Sequence, residues 1–252
     1  MGTVAMNKIL KHKGYRFYQT SYDADGRGSI LSISHDPYGI AITYAGYLLL
    51  LVSMVGFFFE RKSGFRHLLR TSTLAVRIAA VVGSVCGIIV ATVMVLSYTH
   101  SDEPLIPVLR SPLLGIHVSV IMMAYVLLFC TLVCGIAAEV QHRRRGDHSR
   151  AVGQLHVASR LMLYPALMLL MAGIFIGAVW ANVSWGRYWG WDPKEVWALI
   201  TMLIYAAPLH SRSMPWFARP MALHRYCILA FLTVLMTYFG VNFLLGGIHS
   251  YA

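Results

Sequence analysis

Six apolar runs, each close to the length that crosses about 30 Å of hydrocarbon, leave this chain little choice of fold. They lie roughly at 39–59, 74–97, 113–137, 160–182, 194–210 and 226–246. In lipid, backbone N–H and C=O groups find no water, so a spanning segment satisfies them internally as a helix. Charged residues make up only 12% of the chain, about half their share in soluble domains. The expected fold is therefore all-α, a polytopic membrane bundle of about six transmembrane helices. A formal charge of +11 would suggest nucleic acid as partner of a soluble protein. Here the cations sit in short connections between apolar runs, where they set topology instead, and nucleic acid is excluded.

Those connections alternate in character. The loop after the first run carries Arg61, Lys62, Arg66 and Arg70. The loop after the third carries Arg143, Arg144, Arg145 and Arg150, and that after the fifth carries Arg212, Arg219 and Arg225. The loops at 98–112 and 183–193 are poor in cations. Basic loops stay in the cytoplasm, so both termini and the 183–193 loop are expected outside. Residues 1–38 are polar. The alternation in Tyr15-Arg16-Phe17-Tyr18 and Leu31-Ser32-Ile33-Ser34, with a turn at Asp23-Ala24-Asp25-Gly26, predicts short strands. No apolar segment precedes this tail to carry it across a membrane, which leads us to expect an upstream portion beyond this chain. Cys86, Cys130, Cys134 and Cys227 all fall in apolar runs and form no CxxC pair, as expected of packing residues.

One loop stands apart. Trp185 to Trp197, WGRYWGWDPKEVW, holds four of the six tryptophans, together with Gly186, Arg187, Tyr188, Gly190 and Asp192. Tryptophan gathers at membrane interfaces, but an interfacial belt spreads its rings over many helix ends. Four within one glycine-spaced loop suggest a surface for a flat ligand. Asp192-Pro193-Lys194-Glu195 also reads as a helix start, with Asp192 as cap, Pro193 in the first helical position and Glu195 completing a capping box.

Topology sorts the eleven histidines. His67, His142, His148, His156 and His224 lie in or beside the basic loops and read as solvated surface. His12, His35 and His100 lie in the outer polar segments. His117, near the outer end of the third run, and His249, just past the outer end of the sixth, share the level of the tryptophan loop. Ionisable groups at membrane depth mark function. Two imidazoles flanking an aromatic surface fit haem, whose iron takes axial histidines. The outer cations Arg187, Lys194 and Arg110 suit its propionates, whereas a bare zinc site would call for three or four ligands. His210, at the cytoplasmic end of the fifth run, reads either as an interfacial residue or as an inner haem ligand.

With these residues assembled, the chain resembles the haem-handling cytochrome c assembly family. That family's tryptophan-rich WGxxWxWD signature stands here as Trp185-Gly186-Arg187-Tyr188-Trp189-Gly190-Trp191-Asp192. His117 and His249, the latter in a closing GGIHSYA, correspond to its outer histidines, and His210 to its membrane histidine. Residues 61–252 are most similar to the CcsA (ResC) branch. Residues 1–60, through GYRFYQTSYD, HDPYG and TYAGY, resemble the last extracytoplasmic stretch and final span of CcsB (ResB), joined as in fused synthases. The resemblance implies a component of a cytochrome c synthase in the bacterial cytoplasmic membrane. It also implies haem as cofactor and substrate, with Trp185, Gly186, Arg187, Trp189, Trp191 and Asp192 beside the iron ligands His117 and His249. The implied partners are a CcsB-type half, apocytochrome c and thiol-reducing proteins. Two other readings use the same residues: a haem transporter that delivers to a separate ligase, and a structural or quinone-site subunit with interfacial tryptophans only.

Overall fold

The computed structural model describes residues 4–5, 7–23, 27–99, 111–146, 149–211 and 213–245. The tail forms an antiparallel three-stranded sheet, β1 (Leu10–His12), β2 (Tyr15–Tyr22) and β3 (Ser29–Ser34), in that order. Its first hairpin turns through Lys13 (φ +47°) and Gly14 (φ +84°), the two positive-φ positions a two-residue connection between twisted strands favours. Within the turn foreseen at Asp23–Gly26, residues 24–26 lie outside the described residues.

Seven α-helices follow: α1 (Gly39–Phe59), α2 (Gly64–Thr71), α3 (Leu74–Thr99), α4 (Pro112–Arg145), α5 (Arg150–Trp185), α6 (Pro193–Ala206) and α7 (Pro220–Leu235). The last continues as a π-helix over Met236–Leu245. Together they make a polytopic helical membrane bundle, with five stretches among the described residues long and apolar enough to cross a bilayer. The run expected at 194–210 departs from a plain span. It folds as α6, only 14 residues long, followed by a 3-10 turn, Ala207–His210. The cause is Pro208, which has no N–H to offer the carbonyl of Ile204 four residues back. The Tyr226 hydroxyl of α7 donates to that carbonyl instead, at 2.8 Å. At about 1.5 Å per α-helical and about 2.0 Å per 3-10 residue, the two pieces together cover about 29 Å.

The core lies between α4, α5, α6 and α7, where Leu127, Leu128, Leu163, Leu170, Tyr205, Leu223 and Cys227 are buried. α1 buries none of its residues. It meets α5 through aromatic contacts, Tyr47 on Phe175 at 4.7 Å and Phe57 on Tyr164 at 5.3 Å between ring centroids. All four cysteines are free; Cys227 is buried, Cys130 and Cys134 are half-buried, and Cys86 is exposed.

Candidate functional sites at the two ends of the bundle

α5 ends at Gly186, whose φ of +74° is the left-handed conformation glycine adopts without strain. A side chain there would also collide with the ring of Tyr18, 2.9 Å away. Tyr18 is the buried residue of β2, so the sheet docks beside the tryptophan loop. The Ser184 hydroxyl ties the same corner to Asn7 Oδ1 at 2.7 Å. The expected helix start is present in full. Asp192 Oδ2 accepts from the Lys194 amide at 3.1 Å, while Glu195 Oε2 accepts from the amides of Gly190 and Asp192 at 2.8 and 3.3 Å.

The tryptophans do not form one flat pile. Trp185 turns back onto Trp180, with centroids 4.8 Å apart and planes at 69°. Trp189 and Trp191 meet edge to face at 6.0 Å and 88°. Trp191, 75% exposed and at φ +56°, points away from the bundle. Trp189 lines a pocket of about 70 Å³ with Trp180, Tyr188, Lys194, Glu195 and His117. That volume lies below the roughly 300–1,000 Å³ of a ligand-enclosing site. The pocket accepts the edge of a ligand, and the exposed indole of Trp191 offers a face beyond it. Burial, reinforced by Tyr44, pushes the Tyr188 phenol up to about 12, so it stays a neutral donor. The exposed Arg187 lays its guanidinium over Gly190, 3.2 Å from where a Cβ would stand. Lys194 Nζ donates to Asn242 Oδ1 of the π-helical stretch at 2.8 Å.

His117 is held from the facing helix. Its Nδ1 lies 2.7 Å from the carbonyl oxygen of Gly173. A carbonyl only accepts, so Nδ1 is the donor, the kind of bond that also orients histidines in metal sites. Gly177 makes room for the ring: a Cβ at that position would lie 2.6 Å from Cε1. His249, Arg110, His100 and His148 lie outside the described residues. The structure thus brings His117, Trp189 and Lys194 together, while Trp185 packs on Trp180 and Trp191 on Trp189.

At the basic-loop end, a cavity of about 840 Å³ opens between α1, α5 and α6. Its walls include Tyr164, Met168, Met171 and Met202, and His210, Arg160 and Lys62 stand at one end. His210 is exposed, and its Nδ1 donates to the Ala206 carbonyl at 3.0 Å, leaving the lone pair on Nε2. One stripe of α5 serves both places. Arg160, Tyr164, Leu167 and Met171 line the inner cavity, and Ile174 and Ala178 line the outer pocket. Steps of three and four residues keep these positions on one helix face. From Arg160 to Ala178 that face runs about 27 Å.

Two sequence expectations need correction. His224 is fully buried and His156 half-buried, with their rings edge to face at 6.2 Å. They are interhelical residues of α5 and α7 rather than solvated surface, because α5 and α7 extend past the apolar runs and keep packing there. Arg160 was overlooked as the edge of an apolar run; a cation at the boundary of such a run was the available signal.

A multi-pass helical bundle, with His117 in a tryptophan-lined pocket toward one end and His210 at a larger cavity toward the other, defines the class: a polytopic helical membrane protein. The chain belongs to the cytochrome c assembly protein family, whose model matches residues 40–249. It is 41% identical over 153 residues to Protein NrfI of Wolinella succinogenes, covering 59% of this chain and 17% of that protein. It is 37% identical over 182 residues to cytochrome c biogenesis protein CcsA of Synechococcus sp. (strain CC9902), covering 60% of this chain and 59% of that protein. For CcsA of Pyropia yezoensis the figures are 35% over 193 residues, 59% and 60%. The chain thus spans about three fifths of the length of these CcsA proteins and a much smaller part of NrfI.

Proposed function

We propose that this chain holds haem at the tryptophan-loop end of the bundle, on the extracytoplasmic face of the bacterial cytoplasmic membrane, and presents it to the CxxCH segment of an apocytochrome c. The observation that carries this is His117, held through Nδ1 by the Gly173 carbonyl and lining one pocket with Trp189 and Lys194. His249 is the second axial ligand. Trp191 and Trp185 flank the macrocycle, Arg187 and Lys194 answer its propionates, and Gly186 and Asp192 fix the loop that carries them. Haem supplies the vinyl groups, across each of which a cysteine thiol adds, its sulfur bonding one vinyl carbon and its proton passing to the other. The protein supplies position and exclusion of water. His210 is the inner ligand, and the shared face of α5 is the route between the two ends. The 1–60 portion acts as the end of a CcsB-type half, with that half, apocytochrome c and thiol-reducing proteins as partners, and both termini outside.

The second reading, haem delivery to a separate ligase, uses the same residues and is favoured by the presence of a cavity at each end. The test is an optical spectrum of the detergent-purified chain beside its His117→Ala, His249→Ala double variant. A low-spin bis-imidazole spectrum only in the wild type supports the assignment. Its absence from the wild type, even with a CcsB-type partner added, overturns it.

A further inference from the structure

The inner cavity is apolar along its length and cationic at one end. Arg160 is half-buried there, in the first half of α5. Its Nη2 donates to the Ser211 hydroxyl at 2.9 Å, while its Nε is buried without a hydrogen-bond partner. Among the described residues no carboxylate pairs with it. Removing a guanidinium N–H from water without an acceptor is costly, and an anion in the cavity would repay that cost. Lys62 stands at the same rim, exposed, with the Glu60 carboxylate accepting from its backbone amide at 3.1 Å. His210 lies at the same end, with its lone pair on Nε2. Tyr164, Met168, Met171 and Met202 provide polarisable walls for a flat apolar body.

We propose that Arg160, with Lys62 at the rim, is the anion anchor of this cavity, holding the carboxylates of a macrocycle whose metal sits at His210. The proposal rests on the reading of the chain as a haem handler. Arg160 acts as a positioning residue. Its planar fork pairs a carboxylate with two parallel N–H groups, setting how far the macrocycle enters and which edge leads. Burial without an acid partner is what separates it from the solvated arginines of the basic loops.

The experiment compares haem with haem dimethyl ester, whose carboxylates are neutral. Both are titrated into the purified chain carrying His117→Ala, so that the outer pocket contributes no ligand. With Arg160 present, the free acid binds about tenfold or more tighter than the ester, the size of a charge-assisted hydrogen bond. Arg160→Gln abolishes this preference, Arg160→Lys retains part of it, and Lys62→Gln reduces it. General destabilisation lowers affinity for both ligands together and leaves their ratio alone, so the ratio isolates the anchor. An unchanged ratio in Arg160→Gln, or equal binding of acid and ester with Arg160 in place, overturns the proposal. Binding that survives His210→Ala unchanged overturns the inner-site reading itself, which separates the two failures.

Discussion

Replacing Gly177 by alanine separates the placement of the His117 imidazole from its presence. The new methyl would lie 2.6 Å from Cε1 and 2.7 Å from Nδ1, well inside van der Waals contact. The ring has to rotate or the helices have to part, and either movement breaks the bond to the Gly173 carbonyl. Overpacking of this kind costs about 1–3 kcal/mol, offset by about 0.5–1 kcal/mol of improved helix propensity. The net loss of stability is therefore modest. The effect on the ligand is larger, because the group that orients a metal-binding histidine typically governs about 10–100-fold in affinity. Titration of haem into the purified variant, followed optically, should show that loss together with a shift away from the bis-imidazole spectrum. Gly46→Ala serves as control, since nothing lies within 4 Å of a Cβ at that position; its binding should match the wild type. Haem affinity unchanged in Gly177→Ala would refute the claim that Gly173 and Gly177 position His117 for iron.

Three further outcomes test the architecture. Asp192→Ala removes the cap from α6 and should lower stability by about 0.5–2 kcal/mol, read as a fall in thermal midpoint in detergent. Tyr226→Phe leaves the Ile204 carbonyl without its donor at the Pro208 break and should cost about 1–3 kcal/mol, with no change in outer haem affinity. Gly186→Val forces a branched side chain into a left-handed position against Tyr18; it should cost upwards of about 1–2 kcal/mol and raise proteolysis of the residue 1–38 segment as the sheet loses its seat.

Much of this molecule is local and was readable as such. The apolar runs, the alternation of basic and cation-poor loops and the Asp192–Glu195 capping box depend on residues a few positions apart. The runs appear as helices and the capping box is formed, except that Pro208 splits the fifth run; the cation-poor loop at 98–112 lies mostly outside the described residues. The tryptophan loop was legible as unusual but not as a shape: nothing in WGRYWGWD says that Trp189 turns inward to the imidazole pocket, Trp185 onto Trp180, and Trp191 outward. Those directions follow from the left-handed Gly186 and Trp191 and from the strand that packs on that corner.

By itself the sequence determined a membrane bundle and the candidate ligands, because hydropathy, charge and capping act over one or two turns. Only the tertiary structure decided which nitrogen of His117 bears the proton, since its acceptor lies 56 residues away on another helix. It likewise decided that Arg160, bonded to a serine 51 residues on, faces a cavity, and that His224 is enclosed while His210 is exposed. Burial and tautomer belong to the contact between helices, and no periodicity along one chain segment carries the identity of what packs against it.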